Sequence, residues 1–400
     1  MSANTDNVMS QALKEFKLSS LSDKIFLCLL IVVPVAVGAS LLNLPALVVF
    51  ILAAIAVIAL AKVVSDSTEA LATHTGATIG GLLTATFGNA VELIIAILAL
   101  FNGLTEVVKA SITGSLIGNI LFVLGLSMFF GGVSRKTQSF NRMAASLSAS
   151  QLFLAGIALV IPAVFNSTTR SSNNGPDLLE ELSLLVSVIL IICYVGQLIF
   201  FLVTHSNLAA GEESSSASAS SEDDGDPVEE ANKISAEQRN EEVERVGHWS
   251  VMRSMVTLVV ATVIVGFISE ILVSSIEPVT KSLGWTELFV GVIFLAIIGN
   301  AAEYVAAITA AVKNNMSLSV NIAIGSSLQM AFFVAPILVF VGFFSGHPLS
   351  LRFEEFELVC LVVSIIIVNL VALDGKSNWL EGLQLIGAYF IIAVAFFLHP

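Results

Sequence analysis

Two short motifs bring an amide and a carboxylate into long apolar stretches. "GNAVEL" contains Asn89 and Glu92, and "GNAAEY" contains Asn300 and Glu303. Residues three apart share one face of a helix, so each motif presents its amide and carboxylate together. A charged side chain at the centre of a membrane span costs about 3 kcal/mol on insertion scales, so such a residue is a functional-site candidate. The motifs therefore predict two polar sites inside a membrane.

A Gly-Ser pair follows each motif at the same distance. "GSLIGN" begins at residue 114 and "GSSLQM" at residue 325, each 26 residues after the first glycine of its motif. These stretches add Ser115, Ser326, Ser327 and Gln329 to the Asn and Glu side chains. All of these donors are oxygen, which suits a hard cation such as Ca²⁺ with about six to eight oxygen ligands. Zinc or copper would prefer His and Cys, which these stretches lack.

A second interpretation of the Gly-Ser pairs remains open. Small residues are enriched where membrane helices pack closely, so Ser115 and Ser326 fit a packing role as well as a ligand role. Glu69, which lies near the end of a predicted span, likewise fits either an entrance for cations or an interfacial anchor.

The composition identifies an integral membrane protein. The chain has 400 residues, of which 56% are hydrophobic and only 12% are charged; a soluble domain carries about 25% charged residues. The three cysteines fall inside apolar stretches, so no disulfide framework is predicted. Nothing indicates an enzyme, because the chain contains no HExxH, G-x-G-D or Walker motif.

Eleven apolar runs are long enough to cross a bilayer, at about 20 residues each. They lie near residues 25–42, 44–64, 77–101, 108–131, 143–165, 179–204, 250–274, 286–311, 317–344, 355–373 and 379–398. We predict an all-α fold of about eleven transmembrane helices. Its parts are an N-terminal segment with the first helix (1–43), a five-helix repeat (44–206), an acidic cytoplasmic linker (207–246) and a second five-helix repeat (247–400). The second span is expected to continue through "DSTEALA" to a short turn at "THTGA".

The distribution of basic residues predicts the orientation. Thirteen of the 17 Lys and Arg residues lie on the side that holds the N-terminus, and four lie on the opposite side. By the positive-inside rule, the N-terminus and the acidic linker face the cytoplasm. The linker carries 12 acidic residues against Lys233, Arg239 and Arg245, so it accounts for much of the net charge of −14.

The two motif pairs are related by an offset of 211 residues. The motifs fall in the third and the eighth predicted spans, and an odd separation of five spans makes the two copies run in opposite directions. Inverted repeats of this kind place a substrate site near the bilayer midplane, where the repeats meet. We therefore expect Glu92 and Glu303 to approach each other.

The charges of this pair suggest an exchange mechanism. Two carboxylates without a basic partner repel each other in a low dielectric, so the empty ionised pair is unfavourable. One Ca²⁺ neutralises the pair, and two protons do so as well. We hypothesise that these two loaded forms alternate across the membrane while the bare dianion does not.

The motifs resemble those of the calcium/cation antiporter superfamily, and specifically of its proton/calcium exchanger branch. The resemblance is carried by "STEALATHTGATIGGLLTATFGNAVELIIAILAL", "GNAAEYVAAI", "IGSSLQMAFF" and "DGKSNWLEG", and it covers nearly the whole chain from about residue 44. It implies one extra N-terminal helix and two inverted five-helix halves that exchange Ca²⁺ for H⁺. It also implies that Glu92 and Glu303 are the central cation and proton sites. Asn89, Asn300, Ser326 and Gln329 would support them, and Glu69 would lie on the cytoplasmic approach.

One departure concerns the residue after the second glutamate. Many members of this branch have His there, whereas this chain has Tyr304, so the proton route is an open question while the cation ligands are intact. Two alternatives share the fold: a sodium-coupled calcium exchanger, which would need further carboxylates or hydroxyls for Na⁺, and a Mn²⁺/H⁺ antiporter. A passive channel is a third alternative, but paired acidic sites in inverted repeats favour alternating access.

The partners expected from the sequence are Ca²⁺ and H⁺ as substrates and the lipid bilayer as surroundings. We expect no cofactor and no nucleic acid, and the sequence does not determine an oligomeric state. The expected location is a prokaryotic cytoplasmic membrane, with a vacuolar membrane as the alternative.

Overall fold

Long apolar helices make up nearly all of the protein in this computed structural model, which describes residues 28–133, 135–169, 175–204 and 249–399. The first half contains α1 (Val32–Leu41), α2 (Ala46–Thr75), α3 (Ala77–Phe87), α4 (Ala90–Phe101), α5 (Thr105–Ile117), α6 (Leu124–Val133), α7 (Arg142–Thr169) and α8 (Gly175–Ile199). The second half contains α9 (Val251–Ser274), α10 (Ile276–Leu283), α11 (Glu287–Phe289), α12 (Ala296–Val312), α13 (Met316–Gln329), α14 (Ala335–Ser345), α15 (Glu355–Ala372) and α16 (Trp379–Leu398).

These elements combine into ten helices that are long and apolar enough to cross a membrane, five on each side of residues 205–248. The predicted all-helical membrane fold is therefore confirmed. Of the first predicted span, residues 28–42 are described, and they include α1, an apolar helix of ten residues. The acidic linker, including Lys233, Arg239 and Arg245, lies outside the described residues.

π-helical turns interrupt four of the spans. They cover Gly118–Val123, Phe200–Thr204, Val290–Leu295 and Met330–Val334. The first and last of these turns begin within the two Gly-Ser stretches "GSLIGN" and "GSSLQM", at positions 212 residues apart, close to the repeat offset of 211. Such turns are frequent at functional sites, because they change the direction in which the following side chains point.

The first "GNAVEL" motif breaks its helix, but the second copy does not. The helical path stops at Gly88 and Asn89 between α3 and α4, whereas α12 continues through Gly299 and Asn300. The two copies therefore carry the same Gly, Asn and Glu residues but differ in backbone conformation.

The turn expected at "THTGA" is shorter than predicted. Helix α2 continues to Thr75, and Gly76 alone changes the chain direction, with φ of +81°. Thr73 fits this longer helix, because its hydroxyl donates to the Ala70 carbonyl at 2.8 Å. Only glycine adopts the positive φ at position 76 without strain.

Loop contacts show which loops share a membrane face. A short antiparallel pair joins β1 (Gln138–Ser139) to β2 (Lys376–Ser377), and Gln138 also donates to the Ala311 carbonyl at 2.9 Å. At the opposite end, Asn102 donates to Glu270 at 3.5 Å. Residues 138, 311 and 376 thus lie at one membrane face, and residues 102 and 270 lie at the other. The predicted alternation of spans places them in the same way.

Small side chains allow the central helices to pack closely. Helix α2 packs along α9, and it buries Ala53, Ala56 and Ala59 completely. At the crossing of α5 with the π turn Val290–Leu295, a Cβ at Gly291 would lie 2.8 Å from the Val107 carbonyl oxygen. Close backbone approach through Ala and Gly is typical of helix association in membranes.

Candidate cation site

The two glutamates lie against the glycines of each other's motifs. A Cβ at Gly299 would come within 2.7 Å of Glu92 Cγ, and a Cβ at Gly88 would lie 3.9 Å from Glu303 Oε1. The absence of a side chain at Gly299 leaves space for Glu92. At Gly88, Glu303 is in ordinary van der Waals contact, and an added Cβ would first meet the Thr84 carbonyl oxygen at 2.7 Å. The structure thus brings Glu92 and Glu303 close enough for the Glu303 carboxylate to act electrostatically on Glu92.

Asn300 organises a buried network beside the carboxylates. Its Nδ2 donates to Ser115 Oγ at 3.0 Å and to the Ala296 carbonyl at 2.9 Å. Its Oδ1 accepts from Ser326 Oγ at 3.4 Å, and Ser326 also lies beside the Glu303 carboxylate. These bonds join side chains from both halves of the chain, so they fix the position of one half against the other.

Asn119 is a member of this network that the sequence reasoning did not select. Its Nδ2 donates to Ser326 Oγ at 3.0 Å and to Asn300 Oδ1 at 3.3 Å. The signal was available, because Asn119 is a polar residue in an apolar span, four positions after Ser115 and thus on the same helix face. The internal repeat gives no support to it, because the equivalent residue in the second half is Met330.

Asn89 of the first motif is hydrogen-bonded to Gln329 of the second half. Asn89 Nδ2 donates to Gln329 Oε1, which joins the break between α3 and α4 to the end of α13. Asn89 is fully buried, and Gln329 is half-buried. This bond leaves the carbonyl oxygen of Asn89 free to accept another partner.

Several acceptor oxygens in the site are buried without a hydrogen bond from any described residue. They are Asn89 Oδ1, Glu92 Oε1, Glu92 Oε2 and Glu303 Oε2. Buried acceptors cost free energy unless a donor or a cation satisfies them. Within the described ranges, no three His, Cys, Asp or Glu side chains cluster as metal ligands. The site therefore offers two carboxylates with amide and hydroxyl oxygens around them, a set that suits a hard cation.

A small cavity of about 10 Å³ adjoins Glu92. Its lining includes Ile95, Ser111, Ser115 and Met330, all on the side of Glu92 that leads to the loop after Phe101. A volume of this size is close to the minimum that holds one water-sized group.

On the other side of the glutamate pair, one face of α13 carries residues 321, 325 and 329. Asn321 is exposed, Gly325 and Gln329 are half-buried, and a Cβ at Gly325 would meet nothing within 4 Å. Glu303 is itself half-buried, whereas Glu92 is only 7% exposed. The pair is therefore more open on the side where the loop at Lys313 lies than on the side of the cavity.

Two further predicted residues are Glu69 and Ser327. Glu69 is half-buried near the carboxyl end of α2. Ser327 Oγ donates to the Ala323 carbonyl of its own helix at 3.1 Å and to the Leu116 carbonyl of the first half at 3.5 Å. The remaining residues, Asn89, Asn300, Ser115, Ser326 and Gln329, surround the glutamate pair.

Comparison with known proteins extends over nearly the whole chain. The profile of the family described as sodium/calcium exchanger protein matches residues 45–203 and 253–398. A Ca²⁺/H⁺ antiporter of Synechocystis sp. is 44% identical over 381 residues, which are 95% of this chain and 99% of that protein. The Ca²⁺/H⁺ antiporter ChaA of Bacillus subtilis is 42% identical over 367 residues, or 92% of this chain and 96% of that protein.

The fold also matches a solved structure. The structure of native YfkE superposes with a TM-score of 0.75 at 38% sequence identity, and the match covers 94% of this chain and 100% of that chain.

Proposed function

The chain belongs to the sodium/calcium exchanger protein family, in its proton/calcium exchanger branch, and from that membership we propose that it exchanges Ca²⁺ for H⁺ across the membrane. It would act as a secondary antiporter and not as an enzyme, with the two ions as substrates and no cofactor. The Synechocystis and Bacillus relatives support this assignment, because both are Ca²⁺/H⁺ antiporters and align over nearly their full lengths.

The observation that carries the proposal is the set of unpartnered oxygens around Glu92 and Glu303. Both carboxylate oxygens of Glu92, one of Glu303 and the amide oxygen of Asn89 are buried without a donor from the described part of the chain. Ca²⁺ would satisfy these oxygens with charge as well as coordination, and protons on both carboxylates would neutralise them instead. Either loaded form is electrically neutral across the pair, whereas the empty dianion is not.

Each site residue has a proposed role. Glu92 and Glu303 bind Ca²⁺ or carry protons, and Asn89 adds its amide oxygen. Asn300, Ser115 and Ser326 hold the carboxylates and the two halves in register, with Gln329 positioning Asn89. Glu69 is proposed as a carboxylate on the cytoplasmic approach.

Alternating access would connect this site to each membrane face in turn. The exposed Asn321 and the open space beside Gly325 support access from the side of Lys313, while the cavity beyond Glu92 is small. By the predicted orientation, the more open side is the cytoplasmic one.

The proposed organisation has an N-terminal segment (1–43), two five-helix repeats (44–206 and 247–400) and an acidic cytoplasmic linker (207–246). The five membrane helices on each side of the linker support it. The N-terminus is proposed to be cytoplasmic, because 13 of the 17 Lys and Arg residues lie on its side. The proposed location is a prokaryotic cytoplasmic membrane, with a vacuolar membrane as the alternative.

The test is transport by purified protein in liposomes. Ca²⁺ uptake is followed under an imposed pH gradient and, separately, under an imposed sodium gradient. We expect uptake only with the pH gradient. Uptake driven by sodium alone would contradict the proposal and favour the sodium-coupled exchanger. A proton-driven uptake that accepts Mn²⁺ in preference to Ca²⁺ would favour the Mn²⁺/H⁺ antiporter, which the same all-oxygen ligand set allows.

A further inference from the structure

Each half of the protein stacks a tyrosine on a phenylalanine beside the site. Tyr389 stacks on Phe122 with ring centroids 4.7 Å apart and an interplanar angle of 29°. Tyr194 stacks on Phe333 at 5.2 Å and 28°. Phe122 and Phe333 are separated by the same offset of 211 residues as the motifs. The two tyrosines, on α8 and α16, therefore occupy equivalent places in the two halves.

The hydroxyls of these two tyrosines differ in their partners. Tyr194 Oη donates to the Ala85 carbonyl at 3.3 Å. The equivalent carbonyl in the second half belongs to Ala296, and it accepts a bond from Asn300. Tyr389 Oη has no hydrogen-bond partner among the described residues, although the side chain is only 3% exposed. A buried hydroxyl without a partner is costly, so this one calls for an explanation.

Tyr304 supplies a second unpartnered hydroxyl in the same region. The residue is 6% exposed, and no described residue bonds its Oη. Its ring packs edge-on against Phe122, with centroids 6.3 Å apart, so Phe122 contacts both tyrosines that lack partners. Among the described residues, Tyr389, Glu303 and Glu92 lie close enough to Tyr304 to act on its hydroxyl electrostatically.

Gly118 makes the space that the Tyr304 hydroxyl occupies. A Cβ at position 118 would lie 2.8 Å from Tyr304 Oη. By the repeat offset, the equivalent pair of positions is Gln329 in the second half and Leu93 in the first. One pair thus combines a glutamine with a leucine, and the other combines a glycine with a tyrosine. At the second pair, the missing side chain of Gly118 leaves room for a phenol hydroxyl.

We propose that the hydroxyls of Tyr304 and Tyr389 hold a water molecule between them and pass protons to and from the glutamate pair by a route that Ca²⁺ does not use. Each phenol gives up its own proton as it accepts another, so both stay neutral after each transfer. A shared water would satisfy both hydroxyls, as buried waters commonly do for otherwise unpaired polar groups. The inference rests on the proposed Ca²⁺/H⁺ exchange and adds the residues that serve its proton branch.

The chain offers a matched control for this proposal. Tyr304→Phe and Tyr389→Phe each remove one unpartnered hydroxyl and keep the ring packing. Tyr194→Phe removes the equivalent hydroxyl from the other half, where a backbone carbonyl accepts its proton. Each variant in liposomes is measured by proton-driven Ca²⁺ uptake and by exchange of isotopic Ca²⁺ for Ca²⁺ at equal pH, which requires no net proton movement.

We expect Tyr304→Phe and Tyr389→Phe to exchange isotopic Ca²⁺ at the wild-type rate while proton-driven uptake falls about tenfold, the effect of one lost hydrogen bond. Tyr194→Phe should retain both activities. Unchanged proton-driven uptake in the Tyr304 and Tyr389 variants would overturn the inference, as would an equal loss of both activities. The proposed function is tested separately by the wild type, because absence of proton-driven uptake there would refute the exchange itself.

Discussion

Glu92 of the first half occupies the space left by the missing side chain of Gly299 in the second half. A Cβ at Gly299 would lie 2.7 Å from Glu92 Cγ and 3.4 Å from Glu92 Oε1. The position of this carboxylate therefore depends on a glycine from the opposite repeat. Glu303 does not depend on Gly88 in the same way, because its Oε1 would lie 3.9 Å from a Cβ there, an ordinary contact distance. Each motif contributes a carboxylate to the site, and the second motif also contributes the space for Glu92.

Gly299→Ala is expected to displace the Glu92 carboxylate and to lower the Ca²⁺ uptake rate about 100-fold, because a displacement near 1 Å suffices for such losses at a functional site. Gly387→Ala is the control, since a Cβ at that helical position would meet nothing within 4 Å. Uptake is measured in liposomes for both variants. A wild-type rate in Gly299→Ala would show that the contact does not position Glu92.

Asn119→Ala is expected to weaken Ca²⁺ binding about tenfold by removing the donor that holds Asn300 and Ser326. Asn102→Ala provides the comparison, because Asn102 lies exposed at the end of α4 and donates to the Leu98 carbonyl. Binding is measured by isothermal titration calorimetry in detergent. Equal affinities for the two variants would contradict a role for Asn119 at the site.

Gly291→Ala is expected to destabilise the protein by about 1–3 kcal/mol, because the new methyl group would enter the crossing between α5 and the π turn. The added Cβ would approach Ala110 Cβ as well as the Val107 carbonyl oxygen. Gly196→Ala, on α8, has open space and should leave stability unchanged or slightly raised. Thermal unfolding in detergent compares the two, and an unchanged midpoint for Gly291→Ala would contradict the close crossing.

The convergence of the two motifs could be predicted from their spacing alone. Five spans separate the copies, and that odd number fixes opposite directions and brings Glu92 and Glu303 towards each other. The helical architecture was also predictable, because apolar runs of about 20 residues have few alternatives in a membrane.

Other features depend on tertiary contacts that sequence periodicity does not encode. Gly88 and Gly299 have nearly identical local sequences, yet only the first lies at a break between helices. Asn119 has no counterpart in the repeat, so symmetry pointed away from it. The place of the Tyr304 hydroxyl depends on the missing side chain at Gly118, a residue that is remote in sequence. Such pairings become visible only when the helices are packed.

The central claim is that Glu92 and Glu303 bind Ca²⁺ and protons in competition. The most direct measurement is the number of protons released when Ca²⁺ binds to the purified protein in weakly buffered detergent solution, for the wild type and for Glu92→Gln and Glu303→Gln. The account predicts that the wild type releases protons and binds Ca²⁺ more weakly as the pH falls, because protons and Ca²⁺ occupy the same oxygens. Both variants should lose Ca²⁺ binding and proton release together. Ca²⁺ binding of wild-type strength in either variant, or binding by the wild type without proton release over the whole pH range, would contradict it.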